Sequence, residues 1–186
     1  MARLEVITGP MFSGKSKELI RRLEVLEVAS QRILVIKPKM DVRTGMEIAA
    51  RGRKEKSTFP AYPVESAEEL SLLLSENPCD VLAADEIQFF GNWFPDFVKS
   101  LLEENEDLLI IAAGLELDAE RKEFEPTCKL MPWAEDLLKL RAVCHKCKQT
   151  PPNAIFTKKT GGTPGQRIEV GEKIYQARCR RCYSSD

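Results

Sequence analysis

The chain has 186 residues, with 28 lysines and arginines against 29 aspartates and glutamates, a formal net charge of -1. That length predicts one domain, or one with a small added lobe, and suffices to bury a core. The balanced charge excludes a broad basic field for bulk nucleic-acid binding, and no apolar run approaches the ~20 residues of a membrane span.

The opening MARLEVIT runs straight into a strand and lacks a signal-peptide apolar core, so a cytoplasmic location is expected. RLEVIT (3–8) reads as that strand. GPMFSGKS (9–16) follows and satisfies G-x-x-x-x-G-K-[ST] through Gly9, Gly14, Lys15 and Ser16. Glycines let the backbone curl so that N–H groups converge on a phosphate; Lys15 would reach the β- and γ-phosphates and the Ser16 hydroxyl would ligate Mg²⁺. KELIRRLEVLEV (17–28) sets Leu19, Ile20, Leu23 and Leu26 at helical spacing, so the phosphate would meet a helix N-terminus.

QRILVIKP (31–38) is a buried-strand run ended by Pro38, and residues 39–62 read as a charged loop able to order over a ligand. SAEELSLLLSEN (66–77) predicts a helix capped by Ser66 with Glu69 completing a capping box. DVLAADE (80–86) predicts a strand ending in two carboxylates, NWFPDFVKSLLEEN (92–105) a helix with Pro95 near its start, and DLLIIAAG (107–114) a buried strand. GLELDAERKEFEPT reads as polar and mobile, and PWAEDLLKL (132–140) as one more short helix. This alternation predicts a doubly wound parallel α/β sheet, with ligands at the carboxyl ends of its strands.

Six cysteines in a cytosolic chain call for an explanation other than disulfides. CHKC (144–147) and CRRC (179–182) are two C-x-x-C knuckles, and Cys144, Cys147, Cys179 and Cys182 fit a tetrahedral structural Zn²⁺; two redox dithiols are the alternative. The sole histidine, His145, reads as an exposed turn residue, and Cys79 and Cys128 as ordinary buried thiols. Between the knuckles lies TKKTGGTPGQRIEVGEK (157–173).

Asp85 at a strand end suits a Mg²⁺-linked acid. Strand alternation would turn Glu86 the other way, toward a neighbouring pocket. There it could take a proton from an attacking hydroxyl, or polarise water in a plain ATPase; residue chemistry leaves both open.

GPMFSGKS, KPKMDVR, DEIQFF, AGLELD, the paired knuckles and YQARCRRCY, in this order from residue 4 to 183, resemble the type II thymidine kinase family. The resemblance implies a P-loop α/β domain (1–142) and a zinc-ribbon lobe (143–186) carrying a lasso loop over the nucleoside. It implies a homotetramer that phosphorylates the 5′-hydroxyl of thymidine from ATP·Mg²⁺. Glu86 matches the general base, and Asp85 and Ser16 the magnesium site. Gly9, Met11, Phe12, Ser13, Gly14, Lys15, Ser16, Asp41, Arg43 and Asp85 match the donor phosphate region. Met11, Phe90, Leu115, Phe124, Gly171 and Tyr175 fall at the nucleoside, with Phe90 packing near the pocket. The chain departs from the family pattern at Glu116, Ala119 and Val170. A P-loop ATPase acting on nucleic acid, or a divergent member taking another nucleoside, are the alternative functions; nucleic acid and membrane partners are not expected.

Overall fold

The computed structural model describes residues 1–41, 45–49, 58–163, 169 and 173–185. Its strands are β1 (Arg3–Thr8), β2 (Ile33–Pro38), β3 (Glu47–Ala49), β4 (Thr58–Pro60), β5 (Tyr62–Val64), β6 (Val81–Ala84), β7 (Leu109–Gly114), β8 (Asp136–Lys139), β9 (Phe156–Lys159) and β10 (Tyr175–Arg178). The helices are α1 (Lys15–Val28), α2 (Ala67–Glu76), α3 (Trp93–Glu104), α4 (Glu125–Leu130) and α5 (Arg180–Tyr183).

Six parallel strands build the central sheet in the order β5-β2-β6-β7-β1-β8. Period-2 alternation sends neighbouring residues to opposite faces. Leu4, Val6, Leu82, Ala84, Ile110 and Ala112 pack on one side with Phe90 and Phe94, while Ile7, Ala83, Ile111 and Ala113 pack on the other with Leu19, Ile20 and Leu23 of α1. Both faces are thus covered, as an all-parallel sheet requires. Because β6, β7 and β1 are adjacent, the segments leaving their carboxyl ends converge: residues 85–90, 115–124 and 9–16.

Two readings of the sequence need correction. Residues 132–140 are not a helix; after a short 3₁₀ turn at Met131–Trp133, Asp136–Lys139 pairs with Glu5–Thr8 as an edge strand. Glu135, Leu137, Leu138 and Lys139 favour a helix locally, but the N–H groups of Glu135 and Leu140 donate to Leu4 O and Thr8 O, and this ladder overrides propensity. Nor is the 39–62 region one loop. β3 and β4 pair as a hairpin, and β5 starts at Tyr62 to become the sheet's outer strand beside β2. Segments of three residues are too short to show a period. The α2 cap forms as expected, Ser66 Oγ accepting from Glu69 N at 3.3 Å, although the Glu69 carboxylate answers to Glu65 N.

The C-terminal lobe joins β9 and β10 in an antiparallel pair around a small cluster of Ala142, Cys144, Ala154, Ala177, Cys179 and Cys182.

Candidate functional site at the phosphate loop and the four-cysteine lobe

The loop at 9–16 leaves β1 and enters α1 at Lys15, with Gly14 left-handed at the helix cap (φ 90°). Gly9 has φ 140°, and a Cβ there would lie 2.5 Å from Leu140 O, so only glycine fits. Lys15 Nζ donates to Pro10 O at 3.1 Å. The carboxylate of Glu116, just past β7, accepts from Thr8 Oγ1 at 2.5 Å and from Gly9 N at 2.8 Å, and pairs with Lys139 at 3.0 Å. Burial works against its charge, yet the Thr8 hydroxyl, its own N–H and Lys139 hold it below the ordinary carboxylate range. Glu116 therefore pins the root of the loop, a task its sequence context does not reveal.

Asp85 follows β6 and is buried. Desolvation, with the Glu86 carboxylate beside it, pushes its carboxyl up to about 7, against hydrogen bonds from Ser16 and Glu86 N. That Ser16 contact joins the loop to the strand end. Glu86 does not continue the strand. It is left-handed (φ 53°, ψ 39°) and opens the 3₁₀ turn Ile87–Phe89, so alternation along a strand does not set its direction. Gln88 orients it instead. The Gln88 side-chain Oε1 accepts from Leu115 N at 2.9 Å, which turns its amide Nε2 onto Glu86 Oε2 at 2.5 Å. Gln88 is buried within the motif DEIQFF, and its role rests on a contact with Leu115 that the motif itself does not reveal.

Around this centre, Phe124 meets Phe89 edge-on at 6.1 Å and is buried, as is Leu115. Phe90 is 2% exposed and stacked 4.5 Å from Phe94 within the core. Asp41 is buried after β2 and its N–H donates to Pro38 O. Arg43, Val170 and Gly171 lie outside the described residues. The 115–124 segment is ordered by local bonds: Asp118 Oδ1 accepts from Glu120 N and Lys122 N, and Leu117 bridges Glu123. At Ala119, one of the departures from the family pattern, the backbone oxygen accepts from Tyr183 Oη at 2.6 Å, and Arg121 lies 4.6 Å over the Tyr183 ring.

The ligand atoms of Cys144, Cys147, Cys179 and Cys182 lie within 4.8 Å of one another, with Cys147 and Cys179 sulfurs 3.9 Å apart. Zn–S bonds of ~2.3 Å in a tetrahedron place sulfurs ~3.8 Å apart, so the cluster fits zinc in a closed, four-thiolate shell. Tyr175 is buried on β10, its hydroxyl accepting from Glu169 N and donating to Glu169 O. The lobe also reaches the phosphate loop. Met11 N donates to Thr157 Oγ1 at 2.9 Å, and the Phe12 ring meets His145 edge-on at 4.9 Å. His145 is exposed, as the sequence implied, but its Nδ1 accepts from Ala177 N at 3.0 Å. Cys79 is half-buried, and burial pushes its thiol up to about 11, in keeping with an inert residue.

A glycine loop closing on a helix N-terminus at the switch point of a parallel sheet defines a P-loop phosphate-binding α/β protein. Comparison with known proteins narrows the class. The family model for thymidine kinase matches residues 2–183. A thymidine kinase of Mesomycoplasma hyopneumoniae is 38% identical over 97% of this chain and 95% of its own length. One of Mycoplasma mobile is 35% identical over 97% of this chain and 86% of its own length. The chain belongs to the thymidine kinase family, and it is a kinase. Among solved structures, a Pif1 helicase from Candida albicans overlays 74% of this chain and 36% of its own at TM-score 0.45 and 14% identity, a likeness too slight to carry argument.

Proposed function

We propose that the chain transfers a phosphoryl group from ATP to the 5′-hydroxyl of thymidine, with Glu86 as the general base. Thymidine phosphorylation in nucleoside salvage is the activity of the family to which the chain belongs. The observation that carries the residue roles is the bridge from Leu115 N through Gln88 to the Glu86 carboxylate, next to the Asp85–Ser16 contact. It ties that carboxylate to the start of the 115–124 segment, which supports the reading of Glu86 as the base.

Phosphoryl transfer depends on positioning and charge neutralisation. The N–H groups of the loop and α1, with Lys15, take the donor phosphates. Buried Asp85 and the Ser16 hydroxyl are hard oxygen donors that suit Mg²⁺, which supplies charge neutralisation when bound with ATP. Glu86 accepts the proton of the acceptor hydroxyl. Leu115, Phe124 and Phe89 give an apolar wall for the base, with Met11 and Tyr175 on the lobe side. We assign residues 1–142 to the kinase domain and 143–186 to the zinc lobe. Among the described residues no helix is long and apolar enough to cross a membrane, and a cytoplasmic homotetramer is our reading by family.

The test is product formation from ATP·Mg²⁺ with thymidine, deoxyuridine, deoxycytidine and purine deoxynucleosides. Thymidine monophosphate should dominate. Another monophosphate would move the substrate, and ATP hydrolysis to ADP stimulated by single-stranded DNA, without any nucleoside monophosphate, would replace the kinase reading. Glu86→Gln should lower kcat ~10²–10⁴-fold with ATP binding kept; unchanged turnover would remove Glu86 as the base.

A further inference from the structure

The phosphate loop is held from two sides. On the sheet side, Glu116 grips Gly9 N. On the other side, two consecutive residues are held by the four-cysteine lobe: Met11 through its N–H on Thr157 Oγ1, and Phe12 through its ring against His145. Both lobe partners are tied to its metal-binding frame. His145 sits inside the first knuckle, between Cys144 and Cys147, and its Nδ1 is fixed by Ala177 N of β10, two residues before Cys179. Thr157 pairs with Ala177 across β9 and β10. One backbone position, Ala177, therefore backs both contacts.

The loop side is equally committed. Phe12 is left-handed (φ 66°) although it is not glycine, and the residue stays 44% exposed. An L-residue in that region is strained and needs its surroundings to hold it. The next residues, Ser13, Gly14 and Lys15, lead into the helix N-terminus where phosphate binds. A shift at Met11 and Phe12 thus changes where those N–H groups point.

We propose that the four-cysteine lobe and the phosphate loop form one coupled unit, joined by Thr157–Met11 and His145–Phe12, so that zinc occupancy sets nucleotide affinity. Thr157 and His145 act here as positioning residues. The proposal rests on the reading that the loop takes the phosphates of ATP and the cysteines take zinc. Coupling between two sites is reciprocal, so bound nucleotide must also tighten zinc.

The experiment uses the full chain and two readouts apart from turnover: the Kd for a fluorescent ATP analogue, and zinc release to a chromogenic chelator with excess Mg²⁺ present. In the wild type, stripping zinc should weaken the analogue at least threefold, and saturating ATP·Mg²⁺ should slow zinc release by a similar factor. Thr157→Val leaves the Met11 N–H without its acceptor and should weaken the analogue ~5–10-fold at full zinc content. His145→Asn keeps an acceptor for Ala177 N but loses the ring, and should weaken the analogue about threefold. His145→Phe keeps a ring edge against Phe12 and should stay within about twofold of wild type. Elemental analysis fixes zinc content throughout. A wild type that binds both ligands with no mutual effect, or Thr157→Val and His145→Asn at full zinc with wild-type affinity, would overturn the coupling alone. A wild type that binds no zinc or no ATP would overturn the underlying reading as well.

Discussion

The sheet body and the C-terminal lobe are held together by different physics. The body buries large apolar side chains on both faces of six paired strands: Leu4, Leu34, Leu82, Phe90, Phe94 and Ile110 on one side, Ile7, Leu19, Leu23 and Ile111 on the other. The lobe's own cluster is three alanines and three cysteines. Burying a methyl or a thiol removes little surface from water, so this cluster cannot offset the chain entropy of ordering two strands and their turns. The difference teaches that the body has a core large enough to hold it, while the lobe has contacts with the body and four cysteines able to hold a metal in place of one.

The largest break in that comparison is to remove the metal. Structural zinc contributes ~10 kcal/mol or more of apparent binding energy to small domains that lack a core. Chelation, or Cys182→Ser, should erase hydrogen-exchange protection in β9 and β10 while β1, β6 and β7 stay protected. Loss of protection in the whole chain at once would mean that the two regions fold as one unit. The complementary break is Phe94→Ala. Phe94 is fully buried and stacked on Phe90, and its removal should cost ~3–5 kcal/mol of global stability. Zinc content per folded molecule should not change.

A smaller effect sharpens the comparison inside the body. Gln88→Leu keeps apolar bulk but removes the link between Leu115 N and the Glu86 carboxylate. A buried N–H loses its partner and the carboxylate loses its guide, for ~1–3 kcal/mol. We expect kcat to fall ~10-fold or more with little change in the KM for ATP, and Gln88→Glu to recover part of it only if an oxygen facing Leu115 N is what matters. A rise in KM for ATP at unchanged kcat would place Gln88 with the donor and not with the acceptor.

How much of this could be read from the sequence follows the same division. Gly9, Gly14, Lys15 and Ser16, and the two C-x-x-C pairs, are local spacings, so the loop and the cysteine cluster were legible. The parallel sheet was legible because its strands are long apolar runs such as ILVI and LIIAAG. What escaped is non-local. The 136–139 strand exists only because β1 offers it an edge. Glu116 became a ligand for Gly9 N only when β7 came to lie beside β1. The direction of Glu86 depends on a left-handed turn and on Leu115, 29 residues away, through Gln88. Thr157 and His145 find the phosphate loop across 146 and 133 positions of chain. No spacing rule reaches that far.

Acid titration gives the smallest effect and separates the two regions by pH. Thiolates must stay deprotonated to hold zinc, so protons compete with the metal and the lobe should open first as pH falls. The body should persist to lower pH, helped by Glu18 on α1. The Arg21 hydrogen bond is the main cause that brings the Glu18 carboxyl down to about 2 from 4.5, with Arg22 adding to it and burial opposing. A carboxyl with a depressed folded-state pKa contributes stability above its unfolded value and loses it as pH falls through the folded one. The contribution is therefore intact above pH 4.5 and gone below about 2. Solvent reaches Arg21, which is 60% exposed, so we expect only ~1 kcal/mol from this group. Glu18→Gln should flatten the pH dependence of global unfolding between those limits and leave the zinc-release midpoint where it was. A shift of the zinc midpoint in that variant would mean that α1 and the lobe communicate through the phosphate loop more strongly than their separate cores imply.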